Sequence, residues 1–244
     1  MVAHFGNSID GSFTMQINPG NLNVYNIGDE EIDACIIDLD ENIIRKRMTA
    51  CTYRDCVAIA CLPTSLPRDG DACWIAGWGS HGPKHRSSAI GINGRRLLQT
   101  GLNILPRDYC HDHAVRDVSR KITSAEFCAG HPDFDRDGLT DAGSGACQGD
   151  SGGPLICNIQ GRAIIHGIVS RGRGCGQKGA PGLYVGVNQI TPWIKSHMAR
   201  CGKEGLQSIT FRDYDNNANC EWTIHTNCNA IQFKDRIRIL QGFQ

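Results

Sequence analysis

The chain of 244 residues lacks several things whose absence narrows its function. No uninterrupted apolar run approaches the roughly 18–20 residues that a membrane-spanning helix needs, so no membrane span is expected. Neither charge is in excess, since 25 Lys+Arg stand against 25 Asp+Glu. Without a clustered positive field, nucleic acid and anionic membranes are not expected as main partners. The densest basic stretches, Arg45-Lys46-Arg47 and Arg95-Arg96, are short and read as solvated faces. No Cys-x2-Cys pair exists; the closest are Cys51-x4-Cys56, Cys56-x4-Cys61 and Cys220-x7-Cys228, spacings that argue against zinc. No internal repeat is present. The opening string Met1-Val-Ala-His-Phe-Gly-Asn-Ser8 has neither the basic flank nor the apolar stretch of a signal peptide.

What is there points elsewhere. Thirteen cysteines favour an oxidising, extracellular compartment, where disulfides persist. A secreted composition without a secretion signal, together with the odd cysteine count, leads to the expectation that the chain's true N-terminal part is missing. A hydrophobic fraction of 40% is enough to close a core at this length. Strand-like runs at 33–39, 72–78, 152–158, 163–170 and 182–187 are separated by Gly, Pro and Asp clusters, the pattern of an all-β barrel or sandwich. One helix is expected over 190–199, with Thr191 as N-cap and Pro192 at the first helical position. After Cys201 the texture turns polar and Asn-rich (213–219) before an alternating run, Glu221 to His225, so a domain boundary is placed near residue 200.

The most informative string is Cys147-Gln-Gly-Asp-Ser-Gly-Gly-Pro-Leu-Ile-Cys157. A serine hydroxyl becomes a nucleophile only when a base takes its proton, and the tetrahedral intermediate needs backbone N–H donors aimed at the oxyanion. Ser151 is the candidate nucleophile; Gly149, free of Cβ and tolerant of positive φ, lets its own N–H and that of Ser151 form the oxyanion hole. The full string resembles the nucleophile loop of the trypsin/chymotrypsin-like serine proteases. Cys73-Trp-Ile-Ala-Gly-Trp-Gly79, Asn93 to Gln99, Leu102 to Pro106, Phe127-Cys-Ala-Gly130, Pro181-Gly-Leu-Tyr184 and the Trp193-Ile194 helix are similar to family segments in family order, over roughly residues 1–200. The resemblance implies two six-stranded antiparallel barrels, the first incomplete here, with a C-terminal helix and an active site in the cleft between barrels. It also implies disulfides Cys73–Cys157, Cys110–Cys128 and Cys147–Cys175, protein or peptide substrates, no cofactor, and at Cys61 the usual tether of a light chain.

By the same resemblance Asp33, in Ile32-Asp-Ala-Cys-Ile-Ile37, is the triad aspartate, which fixes a histidine tautomer and stabilises the imidazolium. The family's Ala-Ala-His-Cys string does not occur. His4 is the one histidine before Asp33, and Val2 to Gly6 fits a strand further along the first barrel at least as well. Nor is Ile-Val-Gly-Gly present, whose freed α-amino group pairs in the family with the residue matching Asp150; Asp150 must then find another partner or leave the site unformed. The chain as written is expected to be catalytically incompetent.

The resemblance puts Gly145, six residues before Ser151, at the floor of the primary specificity pocket, with Ala146 beside it and Ser170, Gly172 and Gly182 along its walls. An uncharged floor favours apolar side chains, because a buried cation would lack a counter-charge; a shifted alignment would bring Asp141 into the pocket instead. Arg171 replaces the aromatic wall of the groove and points to an acidic substrate residue there. Asp133-Phe-Asp-Arg-Asp-Gly138 resembles a calcium loop without its closing Glu and is read as a solvated acidic loop, with no metal assigned. In the tail, Cys220-Glu-Trp-Thr-Ile224 and Ile231-Gln-Phe233 resemble the early strands of a CUB domain, so 201–244 is expected to be a partial CUB-like segment able to hold extracellular protein ligands. The alternatives are a non-catalytic protease homologue and a CUB-type binding fragment.

Overall fold

The alternation of apolar and polar residues closes into a barrel in the computed structural model. The structure describes residues 2–5, 13–16, 22–27, 30–40, 62–80, 97–114, 121–159, 162–200, 208–211, 222–225 and 236–241. Strands β1 (Val2–Phe5) and β2 (Phe13–Gln16) pair antiparallel, as do β3 (Leu22–Ile27) and β4 (Glu30–Asp40). Then come β5 (Ala72–Gly77), β6 (Leu98–Ile104), helix α1 (Arg107–His113), β7 (Glu126–Gly130), β8 (Pro154–Ile159), β9 (Arg162–Gln177), β10 (Ala180–Gly186) and helix α2 (Val187–Arg200). Strands β11 (Ser208–Phe211) and β12 (Trp222–His225) form a pair, and β13 (Arg236–Gln241) lies antiparallel along β4.

Strands β5 to β10 form one closed six-stranded barrel in the order β10-β7-β6-β5-β8-β9. Period-two burial builds it: Cys73 and Ile75 of β5 and Leu155 and Cys157 of β8 turn inward while their neighbours turn out. They meet Leu102, Ile104, Val169 and Tyr184 in one buried cluster. Each such Leu or Ile contributes about 1.5–3 kcal/mol on leaving water. A second cluster joins Ala34 and Ile36 of β4 to Ile168, Val185, Ile190 and Ile194, so β4 is fixed against β9, β10 and α2. This packing brings Asp33 to the barrel. The three implied disulfides are present: Cys73–Cys157 spans directly paired residues of β5 and β8, Cys110–Cys128 ties α1 to β7, and Cys147–Cys175 ties the loop that carries Ser151 to β9.

Two expectations about helices need correction. α2 starts at Val187, so Pro192 lies inside it and Thr191 is no N-cap; the Thr191 hydroxyl donates back to the Val187 carbonyl at 2.8 Å. α1 was not expected, because it has no apolar stripe to read: among its residues only Cys110 is buried. It is fixed from outside, by its disulfide and by Arg107, whose guanidinium donates to the carbonyls of Glu126 (3.1 Å) and Thr123 (3.0 Å). Cys51, Cys56, Cys61, Cys201, Cys220 and Cys228, the basic stretches, segment 213–219 and Ile231 to Phe233 lie outside the described residues. No helix among the described residues is long and apolar enough to cross a membrane.

Candidate active site

The loop from Cys147 to Gly153 is pinned by backbone bonds at both ends. Asp150 N–H donates to the Cys147 carbonyl and Gly153 N–H to the Asp150 carbonyl, both at 2.9 Å. Gly152 and Val169 exchange with β9 through Gly152 N–H to Val169 O and Val169 N–H to Gly153 O, and Ser80 N–H holds the Gln148 carbonyl at 2.8 Å. The Asp150 carboxylate finds partners in the Gly79 N–H and the Cys147 N–H, each at 2.9 Å. Charge-assisted bonds of this kind are short and strong. Glycines 77 and 79 make room for it: a Cβ at Gly77 would stand 2.1 Å from Asp150 Oδ1, and one at Gly79 would stand 2.4 Å from Oδ2. The sequence showed these glycines as part of a motif but not that they form a carboxylate cradle.

Gly149 adopts φ +96°, a conformation that L side chains rarely take. Among the described residues, neither its N–H nor that of Ser151 is spent on another group. These two amides flank Asp150 in the chain.

Asp33 comes to this site through a register shift. Leu183 pairs with Arg171 and Tyr184 with Val169, so Ser170 is the extra residue of a bulge between β9 and β10. Bulges re-aim side chains. The Ser170 hydroxyl, 1% exposed, donates to Asp33 Oδ2 at 2.7 Å. His4 lies in β1 opposite Thr14, with its side chain outside the described residues.

A cavity of about 440 Å³ opens beside Ser151, and its wall includes Gly145, Ala146, Ser170, Gly172 and Gly182. All five residues expected at the pocket thus line one cavity with Ser151, while Asp33 and Gly149 stand outside the wall. The close approach of two backbones shapes it: Gly143 N–H donates to Gly176 O at 2.9 Å, and a Cβ on Gly176 (φ +58°) would collide with Gly143 O at 2.1 Å. Asp141 also borders the cavity, but its Oδ2 accepts the Phe134 N–H at 3.0 Å. The Tyr184 side chain is buried, and burial pushes its phenol above the ordinary range.

Arg171 departs from expectation. Its guanidinium does not stand open to an acidic substrate residue; it is held in a fork by Glu126, Nη1 to Oε1 at 2.5 Å and Nη2 to Oε2 at 3.0 Å. Glu126, 4% exposed, had not been singled out in the sequence. Only the fold places the two residues together, since 45 positions separate them along the chain.

Other titratable groups lie apart from this chemistry. Burial lowers the pKa of His166, and neither ring nitrogen has a partner among the described residues. Burial, reinforced by Asp33, pushes the free Cys35 thiol up to about 11. In the acidic loop, Asp133, Asp135 and Asp141 come together, but Asp133 accepts the amides of Asp137 and Gly138, and Lys178 bridges Asp135 and Asp137 at 2.6 and 2.7 Å. These carboxylates are occupied within the protein.

The family model described as Trypsin matches residues 17–194. Human (Homo sapiens) transmembrane protease serine 5 is 35% identical over 160 residues, which are 64% of this chain and 31% of that protein. Tissue-type plasminogen activator of Rattus norvegicus is 38% identical over 145 residues, 58% of this chain and 24% of that protein. Urokinase-type plasminogen activator of Gallus gallus is 36% identical over 144 residues, 58% and 30% of the two. The chain therefore spans about a third or less of the length of these curated relatives.

Proposed function

Because the chain belongs to the trypsin family, and so by family to the serine endopeptidases, we propose that its cleft binds polypeptide substrates for acyl transfer at Ser151. Ser151 attacks the scissile carbonyl, and the N–H groups of Gly149 and Ser151 receive the oxyanion. Asp33 would orient the family's proton-shuttling histidine, a residue that no position of this chain is assigned to supply. The observation that carries this reading is the Ser170–Asp33 bond of 2.7 Å. It ties the proposed triad carboxylate to a residue of the same cavity wall that holds Ser151. The floor at Gly145 and Ala146 carries no charge, which supports apolar side chains at the scissile position.

The 244 residues contain no Ala-His-Cys and no Ile-Val-Gly-Gly string. We therefore take the chain by itself to bind substrate without turning it over at a protease-like rate. Secretion fits the disulfides. A CUB-like role for 201–244, with extracellular protein ligands, rests on the sequence resemblance alone. The test is to expose the full chain to a fluorophosphonate probe and map any adduct. Slow or no labelling of Ser151, with peptide binding retained in the cleft, supports the proposal; labelling at a trypsin-like rate sinks the incompetence, and failure of peptides to bind sinks the whole reading.

A further inference from the structure

Arg171 borders the cavity and its side chain is 26% exposed, whereas its partner Glu126 is 4% exposed. The surrounding frame holds Glu126 independently of any substrate: the Thr123 N–H donates to Oε2 at 2.9 Å, and Arg107 clasps the backbone carbonyls of Glu126 and Thr123. A desolvated carboxylate cannot be left unpaired without a large penalty, so Arg171 is not free to turn toward a substrate carboxylate. We propose that Glu126 is a specificity-determining residue of the substrate groove. By neutralising Arg171 it makes this wall neutral, so that the groove accepts uncharged side chains N-terminal to the scissile bond and gives acidic ones no advantage.

The guanidinium has five N–H donors and its fork to Glu126 uses two. The remainder can donate to amide or hydroxyl side chains of a substrate. A free Arg171 would instead favour Glu over Gln by about tenfold, the effect of unit charges some 5–6 Å apart under partial screening.

This inference rests on the proposed substrate cleft. The probes are blocked tetrapeptide amides with an apolar C-terminal residue and either Glu or Gln at one of the three preceding positions. Their Kd values for the full chain are measured by NMR titration. Wild type should bind each Glu and Gln pair within threefold, with a ratio unchanged from 0.05 to 0.5 M NaCl. Glu126→Gln should favour Glu about tenfold at one position, the preference shrinking in high salt, and Glu126→Gln/Arg171→Gln should restore the wild-type ratio. An unaltered ratio in folded Glu126→Gln overturns the inference while leaving the cleft intact. Should that variant not fold, the wild-type salt series decides: a drift toward Glu at low salt means that Arg171 is not neutralised. If no peptide binds wild type, the cleft reading fails and the inference with it.

Discussion

Replacing Gly79 by alanine tests whether Asp150 is cradled as described. The added Cβ would sit 2.4 Å from the Asp150 Cγ and Oδ2 and 2.5 Å from Oδ1, well inside van der Waals contact, so the carboxylate must move. Overpacking of this kind costs about 1–3 kcal/mol. Displacing the carboxylate also loses its bond from Gly79 N–H at 2.9 Å, a hydrogen bond to a charged group worth about 1.5–3 kcal/mol. The sum, about 2.5–6 kcal/mol, is to be read from urea unfolding followed by tryptophan fluorescence. Gly101→Ala is the internal control: the nearest atom to its Cβ is Cys73 O at 3.9 Å, and removing a strand glycine there should be neutral or stabilise by about 0.5–1 kcal/mol. Asp150→Ala removes the obstacle, so in the double variant Gly79→Ala should cost at least about 1.5 kcal/mol less than in wild type. Gly79→Ala within about 0.5 kcal/mol of Gly101→Ala, or additive with Asp150→Ala, would refute the cradle.

Three further outcomes are expected. Burial holds the folded pKa of His166 below its ordinary 6.5, so the unfolded chain takes up the proton first; the His166 contribution to stability is constant above about pH 7 and falls from about pH 6.5 downward, by at most about 1.4 kcal/mol per pH unit. His166→Leu should flatten that slope between pH 6.5 and 5, and denaturant midpoints across the range check it. Removing the Cys147–Cys175 disulfide, whose cysteines are 28 apart in sequence, should cost about 3.6 kcal/mol by loop entropy and speed amide hydrogen exchange in the loop from Cys147 to Gly153. Gly145→Asp should fit, because its Cβ meets Gly176 only at 3.4–3.5 Å; benzamidinium should then bind at least tenfold tighter than to wild type, as measured by calorimetry.

Much of this protein was legible as pattern. Period-two burial in β5 and β8 was visible in Cys73, Ile75, Leu155 and Cys157, since a half-buried strand must alternate whatever it packs against. The Gly-Asp-Ser-Gly-Gly string was legible because the positive φ of Gly149 and Gly152 is a local requirement, met within a few residues. α1 was not legible, because its fixing comes from Cys128 and from Arg107's remote carbonyl partners. Nor was the start of α2, where packing of Val187 and Ile190 into the second cluster outweighs the capping preferences of Thr191 and Pro192.

The site divides the same way. By itself the sequence supplied the Gly-Asp-Ser-Gly-Gly string and, through the family resemblance that it carries, the three disulfide pairs that the structure contains and the uncharged residues Gly145 and Ala146 that line the cavity. Only the tertiary structure decided what the charged groups do. Asp150 is satisfied by a glycine cradle 71 positions away, Asp33 by a bulge serine 137 positions away, and Arg171 by a buried glutamate two strands away, on the far side of β10. The physical reason is that a side chain's geometry can be constrained by its neighbours in sequence, but a charge in a partly dry cleft is governed by whichever opposite charge, amide or hydroxyl the fold brings within 3 Å.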